Sequence, residues 1–271
     1  MISSFNAEIS VYRAFARVGF VNVMAYRLRY YTGIITYFIY VSVYYFIWSA
    51  VLEDGGSIEG FSFPEMLTYI SVGWLIRSFY FNNIDQDITN QVLEGKIAMD
   101  LIKPVNIQFM YIAEAFGSSC FRLILLTLPT ALLLALVFPV RAPASKVHLA
   151  TFLLSSTLSF FLVASINFCI GTFALRLKSI LGLIRAKYFI LELCSGLLIP
   201  ITFFPSWAEN ILKVLPFPYI SFAPVLIYLG KTNGWKIALT IGMQVFWILT
   251  LLIIGHLLWS WSSRKITIQG G

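Results

Sequence analysis

The chain has 271 residues, 59% of them hydrophobic and 11% charged, and a mean hydropathy of +0.84. A soluble domain carries roughly a quarter charged residues, so a water-soluble globule is excluded and an integral membrane protein is indicated; six spans of about 20 residues leave only short connections, which excludes a large aqueous domain too. The net charge of +7 would suit nucleic acid or an anionic membrane surface, and with this hydropathy the bilayer is the expected partner and nucleic acid is not.

Residues 5–24 place Val11, Phe15 and Val18 on one helical stripe and Arg13 and Arg17 on another. That pattern predicts a helix lying in the membrane interface, and its scattered arginines are not a cleaved signal peptide, so the N-terminus is expected to be retained. A first span is predicted over 30–52, free of charge and aromatic at both ends. After the loop Glu53 to Gly60, a second runs over 64–84, with Pro64 in its first turn and Arg77 inside it. Residues 85–104 are polar and mixed in sign. The third span is predicted over 115–138 and the fourth over 148–175, where Thr157, Ala164, Asn167 and Gly171 share a face suited to close helix packing. The basic turn Arg176, Lys178, Arg185 and Lys187 precedes a fifth span at 188–204, which contains Glu192 and Pro200. Between 205 and 230 the chain stays apolar but is cut by Pro205, Pro216, Pro218 and Pro224, leaving two helical pieces too short to cross. Ser206 with Glu209 reads as a capping box that opens the first piece, beside Trp207. Irregular backbone at membrane depth must be covered by protein or water, so a re-entrant or interfacial hairpin is expected here. The sixth span runs over 235–261. The fold class is thus all-α integral membrane, with six transmembrane helices, an N-terminal interfacial helix and a broken extracytoplasmic helical hairpin.

Lys and Arg counted on alternate sides set the orientation. One side holds residues 13, 17, 27, 29, 96, 103, 176, 178, 185, 187, 264 and 265; the other holds 141, 146, 213, 231 and 236. The first, richer side is cytoplasmic and includes both termini, giving a multi-pass protein of the inner, or plasma, membrane.

The chemistry of an enzyme is missing from the pattern. Gly95-Lys96 and Gly230-Lys231 lack the rest of a phosphate-binding loop, His148 and His256 fall near opposite faces, and Cys120, Cys169 and Cys194 lie apart in apolar runs. No catalytic residue, metal site or directly bound cofactor is expected. Arg77, Glu192 and Arg122 are ionisable groups within spans, where snorkelling, an ion pair and a substrate path are all open readings.

Leu93-Glu94-Gly95-Lys96-Ile97-Ala98-Met99-Asp100-Leu101-Ile102-Lys103-Pro104 is similar to the "G-x-I-x-x-D-L-x-K-P" pattern after the second span of a bacterial subgroup of ABC-2 type permeases. Ser195-Gly196 through Pro200, Phe204-Pro205-Ser206-Trp207, Leu215-Pro216-Phe217 and Pro224 to Gly230 resemble the proline-punctuated run of the same subgroup. The resemblance implies a membrane subunit that pairs with a second permease, identical or related, and with separately encoded ATPase subunits that bind ATP and Mg. It also implies that residues 93–104 couple to the ATPase. The apolar stripe there is expected to be Leu93, Ile97 and Leu101, with Glu94, Lys96, Asp100 and Lys103 as polar contacts and Pro104 as the stop. An ATP-independent channel or carrier, and a membrane assembly scaffold, are the alternatives; neither a charged ring nor an internal repeat favours the former.

Overall fold

The computed structural model describes residues 2–25, 28–52, 56–177 and 180–264. Arg27, Glu53, Lys178 and Lys265, used in the sequence reading, lie outside them. The described chain is helical apart from a two-stranded hairpin. Helix α1 (Ile2–Met24) is followed by α2 (Leu28–Val51), then by the antiparallel pair β1 (Ser57–Ile58) and β2 (Phe61–Ser62). Next come α3 (Phe63–Tyr80), α4 (Ile84–Leu93), the short α5 (Ile97–Leu101), α6 (Ile107–Arg122) and α7 (Leu128–Val137). Then α8 (Lys146–Gly171), α9 (Ala174–Leu177), α10 (Leu181–Cys194), α11 (Ser206–Val214), α12 (Phe222–Tyr228) and α13 (Trp235–Ser263) complete the chain.

Four helical stretches among the described residues are long and apolar enough to cross a membrane: 30–51, 107–137, 146–177 and 235–263. The second of these joins α6 to α7 through a π-helical turn at Leu123–Thr127, so the third span starts eight residues earlier than the expected 115. Helix α3 has 18 residues, about 27 Å at 1.5 Å per residue. Its apolarity is diluted by Thr68, Ser71 and Ser78, all buried in the bundle. The expected fifth span is corrected most. Its helix begins at Leu181 and has only 14 residues, because Gly196 takes φ +77, a conformation that favours glycine, and Pro200 follows. Arg185 and Lys187, expected in a flanking turn, belong to α10.

Helix α8 is the centre of the bundle, with Phe160, Ala164, Ser165 and Phe168 fully buried. Helices α2 and α13 lie at the periphery and expose Ile35, Phe46, Leu249 and Ile253, as helices in contact with lipid do. Helix α1 packs on α6 so closely that a Cβ on Gly117 would stand 1.7 Å from the Ala16 carbonyl oxygen.

Pro205 ends the connection to α11, and Ser206 is the first helical residue rather than the N-cap. The expected capping box is therefore absent, and Glu209 instead pairs with Lys213 at 2.8 Å. A capping box does form at Ser62 and Glu65, opening α3. Pieces α11 and α12, nine and seven residues long, are too short to cross a bilayer.

Candidate functional site

The loops separate into two ends. At one, Lys231 Nζ donates to the Gly60 carbonyl at 2.7 Å and lies 3.3 Å from Glu65. Arg141 lies 3.4 Å from the same carboxylate, and His148 Nε2 is 2.7 Å from Asn233 Oδ1. The three loops around residues 57–65, 138–146 and 228–234 thus meet. At the other end, Arg176 donates to the Trp261 carbonyl at 2.6 Å, and α4 and α5 turn back towards α6.

The segment 93–104 takes a different shape from the expected four-residue stripe. Leu93 ends α4, Gly95 adopts φ +71, and a new helix runs only from Ile97 to Leu101; Pro104 lies beyond it. The break rotates the two pieces, so Ile97 is 3% exposed while Met99 is 66% and Ile102 82% exposed. Asp100 also faces inward. Its carboxylate accepts from the Tyr111 hydroxyl at 2.6 Å and from Lys103 Nζ at 2.6 Å. Glu94 and Lys96 pair with one another at 2.5 Å. The outward apolar surface is therefore Leu93, Met99 and Ile102, with Leu101 at its edge, and Ile97 and Asp100 anchor it to the body.

Beside this segment, α1, α4 and α6 line a half-open cavity of about 480 Å³, within the size range of ligand pockets. Asp87, Asn90, Glu114 and Arg122 line it. Arg122 donates to Ser119 Oγ at 2.7 Å. Asp87 is exposed at the cavity wall, and partial desolvation there, with Glu114 and Asp85 nearby, pushes its pKa up to about 6. None of the His, Cys, Asp and Glu side chains among the described residues forms a group able to hold a metal.

The polar interior lies behind the cavity. Arg77 and Glu192 form an ion pair between α3 and α10, with Arg77 Nε 3.1 Å from Glu192 Oε1. The guanidinium also lies over the rings of Trp74 and Phe81 at 5.3 and 5.0 Å. A second pair was not foreseen. Lys187 Nζ donates to Asp85 Oδ2 at 2.6 Å and to Asn167 Oδ1 at 2.7 Å, and the two charged side chains are 3% and 0% exposed. The Asn167 amide nitrogen donates to both the backbone and side-chain oxygens of Asn82 at 2.9 Å. Asn82 in turn donates to the Tyr80 carbonyl. Side chains thus satisfy carbonyls freed by the break between α3 and α4, the condition for irregular backbone in a membrane. A small-residue face at Asn167 and Gly171 was the only local signal of this crossing.

Three proline-rich positions of the hairpin shape its outer part. Pro205 caps α11, Pro216 precedes a 3-10 turn that contains Pro218, and Pro224 lies in the first turn of α12. Trp207 is exposed on α11. The hairpin is held to the core by Gln244, which donates to the Tyr219 carbonyl at 2.8 Å, and by Tyr80, whose hydroxyl is 3.0 Å from Ser221 Oγ.

A family model described as "ABC-2 family transporter protein" matches residues 38–270. No curated protein matches the chain.

Proposed function

The chain belongs to the ABC-2 family of transporters, and from that membership we propose that it is the permease subunit of an ATP-driven exporter, moving its cargo out of the cytoplasm with energy from a separate ATPase subunit that carries ATP and Mg. In this reading α3, and α10 together with the irregular stretch through the 3-10 turn Ile201–Phe203, complete six crossings, both termini and α4–α5 face the cytoplasm of a cell whose inner membrane holds the protein, and two permeases enclose the path. The small interior of one bundle favours pairing, because the charged groups inside α3 and α10 are taken up by Arg77–Glu192 and by Lys187 with Asp85 and Asn167, which leaves little room for a sizeable cargo within one subunit.

The observation that carries the reading is the exposed apolar knob Leu93, Met99 and Ile102, fixed on a short helix by buried Ile97 and Asp100. A membrane subunit without its own energy source changes state only through contacts that differ between states, and a rigid apolar projection is suited to a groove in a partner. The test is purification from membranes in mild detergent, followed by measurement of ATPase activity with the co-purifying subunit. Met99→Asp and Ile102→Asp should leave the permease folded and abolish co-purification and stimulated ATP hydrolysis. Recovery of an active permease with no ATPase bound, or full stimulation by both variants, refutes it.

A further inference from the structure

Helix α10 touches the interrupted α3–α4 pair at three levels, in opposite chain order. On the α3 side Glu192 pairs with Arg77. At the break Tyr188 stacks on Phe81 with ring centroids 5.8 Å apart, and its hydroxyl donates to Asn83 Oδ1 at 3.1 Å. On the α4 side Lys187 holds Asp85 at 2.6 Å. The backbone at this break is not helical: Phe81 has φ −60 and ψ 127, and Asn83 has φ −117 and ψ 30. A few residues at the end of an element, able to absorb a change in φ and ψ, are what a hinge requires, and α10 lies across this one as a splint.

The two ends of the splint differ in strength. Parting Lys187 from Asp85 strands two charges that water does not reach, which is strongly unfavourable. Arg77 and Glu192 are 19% and 31% exposed, and the guanidinium also lies over Trp74 and Phe81 and 3.5 Å from the Tyr37 hydroxyl, so it keeps other partners when the pair separates. Beyond Cys194 helix α10 ends at the left-handed turn of Gly196, where the Ser195 carbonyl accepts from the Phe222 N–H at 3.0 Å and the Gly196 carbonyl from the Tyr69 hydroxyl, so α10 has a second break of its own, pinned to the core. We propose that α4 and α10 form one lever, locked by Asp85 and Lys187 and borne on α8 through Asn167, which also bonds Asn82 at the break, that pivots at residues 81–83 and 195–200, with Arg77–Glu192 as the contact that exchanges as it pivots. The opposite arrangement, in which α3 and α4 act as a single bent rod, would leave α10 free to slide past both.

The proposal rests on the permease reading for what drives the lever, since α5 adjoins α4 and its displacement would be passed to α10 through Lys187. The existence of the lever does not rest on it, and the experiment needs neither ATP nor a partner. Amide hydrogen exchange is measured on the full chain in lipid nanodiscs. Asp85→Asn with Lys187→Gln, which keeps hydrogen-bonding groups but removes both charges, should speed exchange in α4 about tenfold while residues 66–76 of α3 stay within about twofold of wild type. Tyr188→Phe, a milder change that loses one hydrogen bond, should speed exchange at residues 81–83 about fivefold and again leave α3 unchanged. Acceleration of α3 and α4 together, or no change in α4 and at 81–83, overturns the lever. Should the double variant fail to fold, the Tyr188→Phe result decides on the same criterion.

Discussion

Replacing Gly117 by alanine should force α1 away from α6. The added Cβ would stand 1.7 Å from the Ala16 carbonyl oxygen and 2.6 Å from its carbon, whereas a carbon and a carbonyl oxygen in favourable contact are about 3.3–3.6 Å apart. The helices must therefore separate locally by roughly 1.6 Å or more. Both obstacles are backbone, so no rotamer change relieves them. The separation would stretch the bond from Ser118 Oγ to the Gly19 carbonyl, now 3.1 Å, beyond useful range. Overpacking of this kind destabilises by about 1–3 kcal/mol, more where nothing yields, and the lost hydrogen bond adds about 1 kcal/mol. At about 2–4 °C per kcal/mol, the midpoint of thermal unfolding in nanodiscs should fall by roughly 5 °C or more. Scan rates must be matched, because unfolding of such a protein need not be reversible. Gly242→Ala in α13 is the control: nothing lies within 4 Å of the added atom, and alanine favours a helix over glycine, so its midpoint should hold or rise. If Gly117→Ala melts with the wild type, the close approach of α1 and α6 is wrong.

Three further outcomes are expected. Arg77→Met and Glu192→Gln should each lower the yield of folded protein, and the double change should be milder than the sum, with a coupling of about 1 kcal/mol; simple additivity would mean that the two groups act independently. Asp100→Asn should cost about 1.5–3 kcal/mol through weakened bonds to Tyr111 and Lys103, measured by the same melting assay, while Ile102→Asp at the surface should stay within about 0.5 kcal/mol. Asp87 gives a pH dependence of defined sign. Its pKa is raised in the folded state, so the folded form binds a proton more readily than the unfolded chain, and stability should decline as pH rises from about 4 to about 6 and level off above. Asp87→Asn should remove that decline from the melting profile; an unaltered profile would show that this carboxyl is not its source.

Hydropathy and breakers made much of the architecture legible. The charge-free run 30–52 became α2, the run 235–261 became α13, and four prolines between 205 and 224 divided the outer hairpin into pieces too short to cross. These features depend on each residue's own preference for lipid or water and on backbone geometry, which are local. The same local reading misplaced Ile97 and Asp100. A four-residue spacing implies a shared face only along an unbroken helix, and Gly95 at φ +71 breaks this one.

By itself, then, the sequence determined that this is a membrane protein, where most of its apolar helices run and where the chain must break. The tertiary structure alone decided how the charges buried between helices are paired. Lys187 reads as an ordinary basic residue at the edge of a span, and it is buried because the close approach of α4 to α8 at Gly171, where the Asp85 Cα would lie 2.9 Å from an added Cβ, brings Asp85 and Asn167 within its reach. Pairing of Arg77 with Glu192 was one of the readings the sequence left open, beside snorkelling and a substrate path, and the crossing of α3 with α10 selected it. An ion pair between helices depends on distance in space, which is set by which helices become neighbours, and no residue carries that information in its own type or spacing, unlike the pair Glu209–Lys213 within α11.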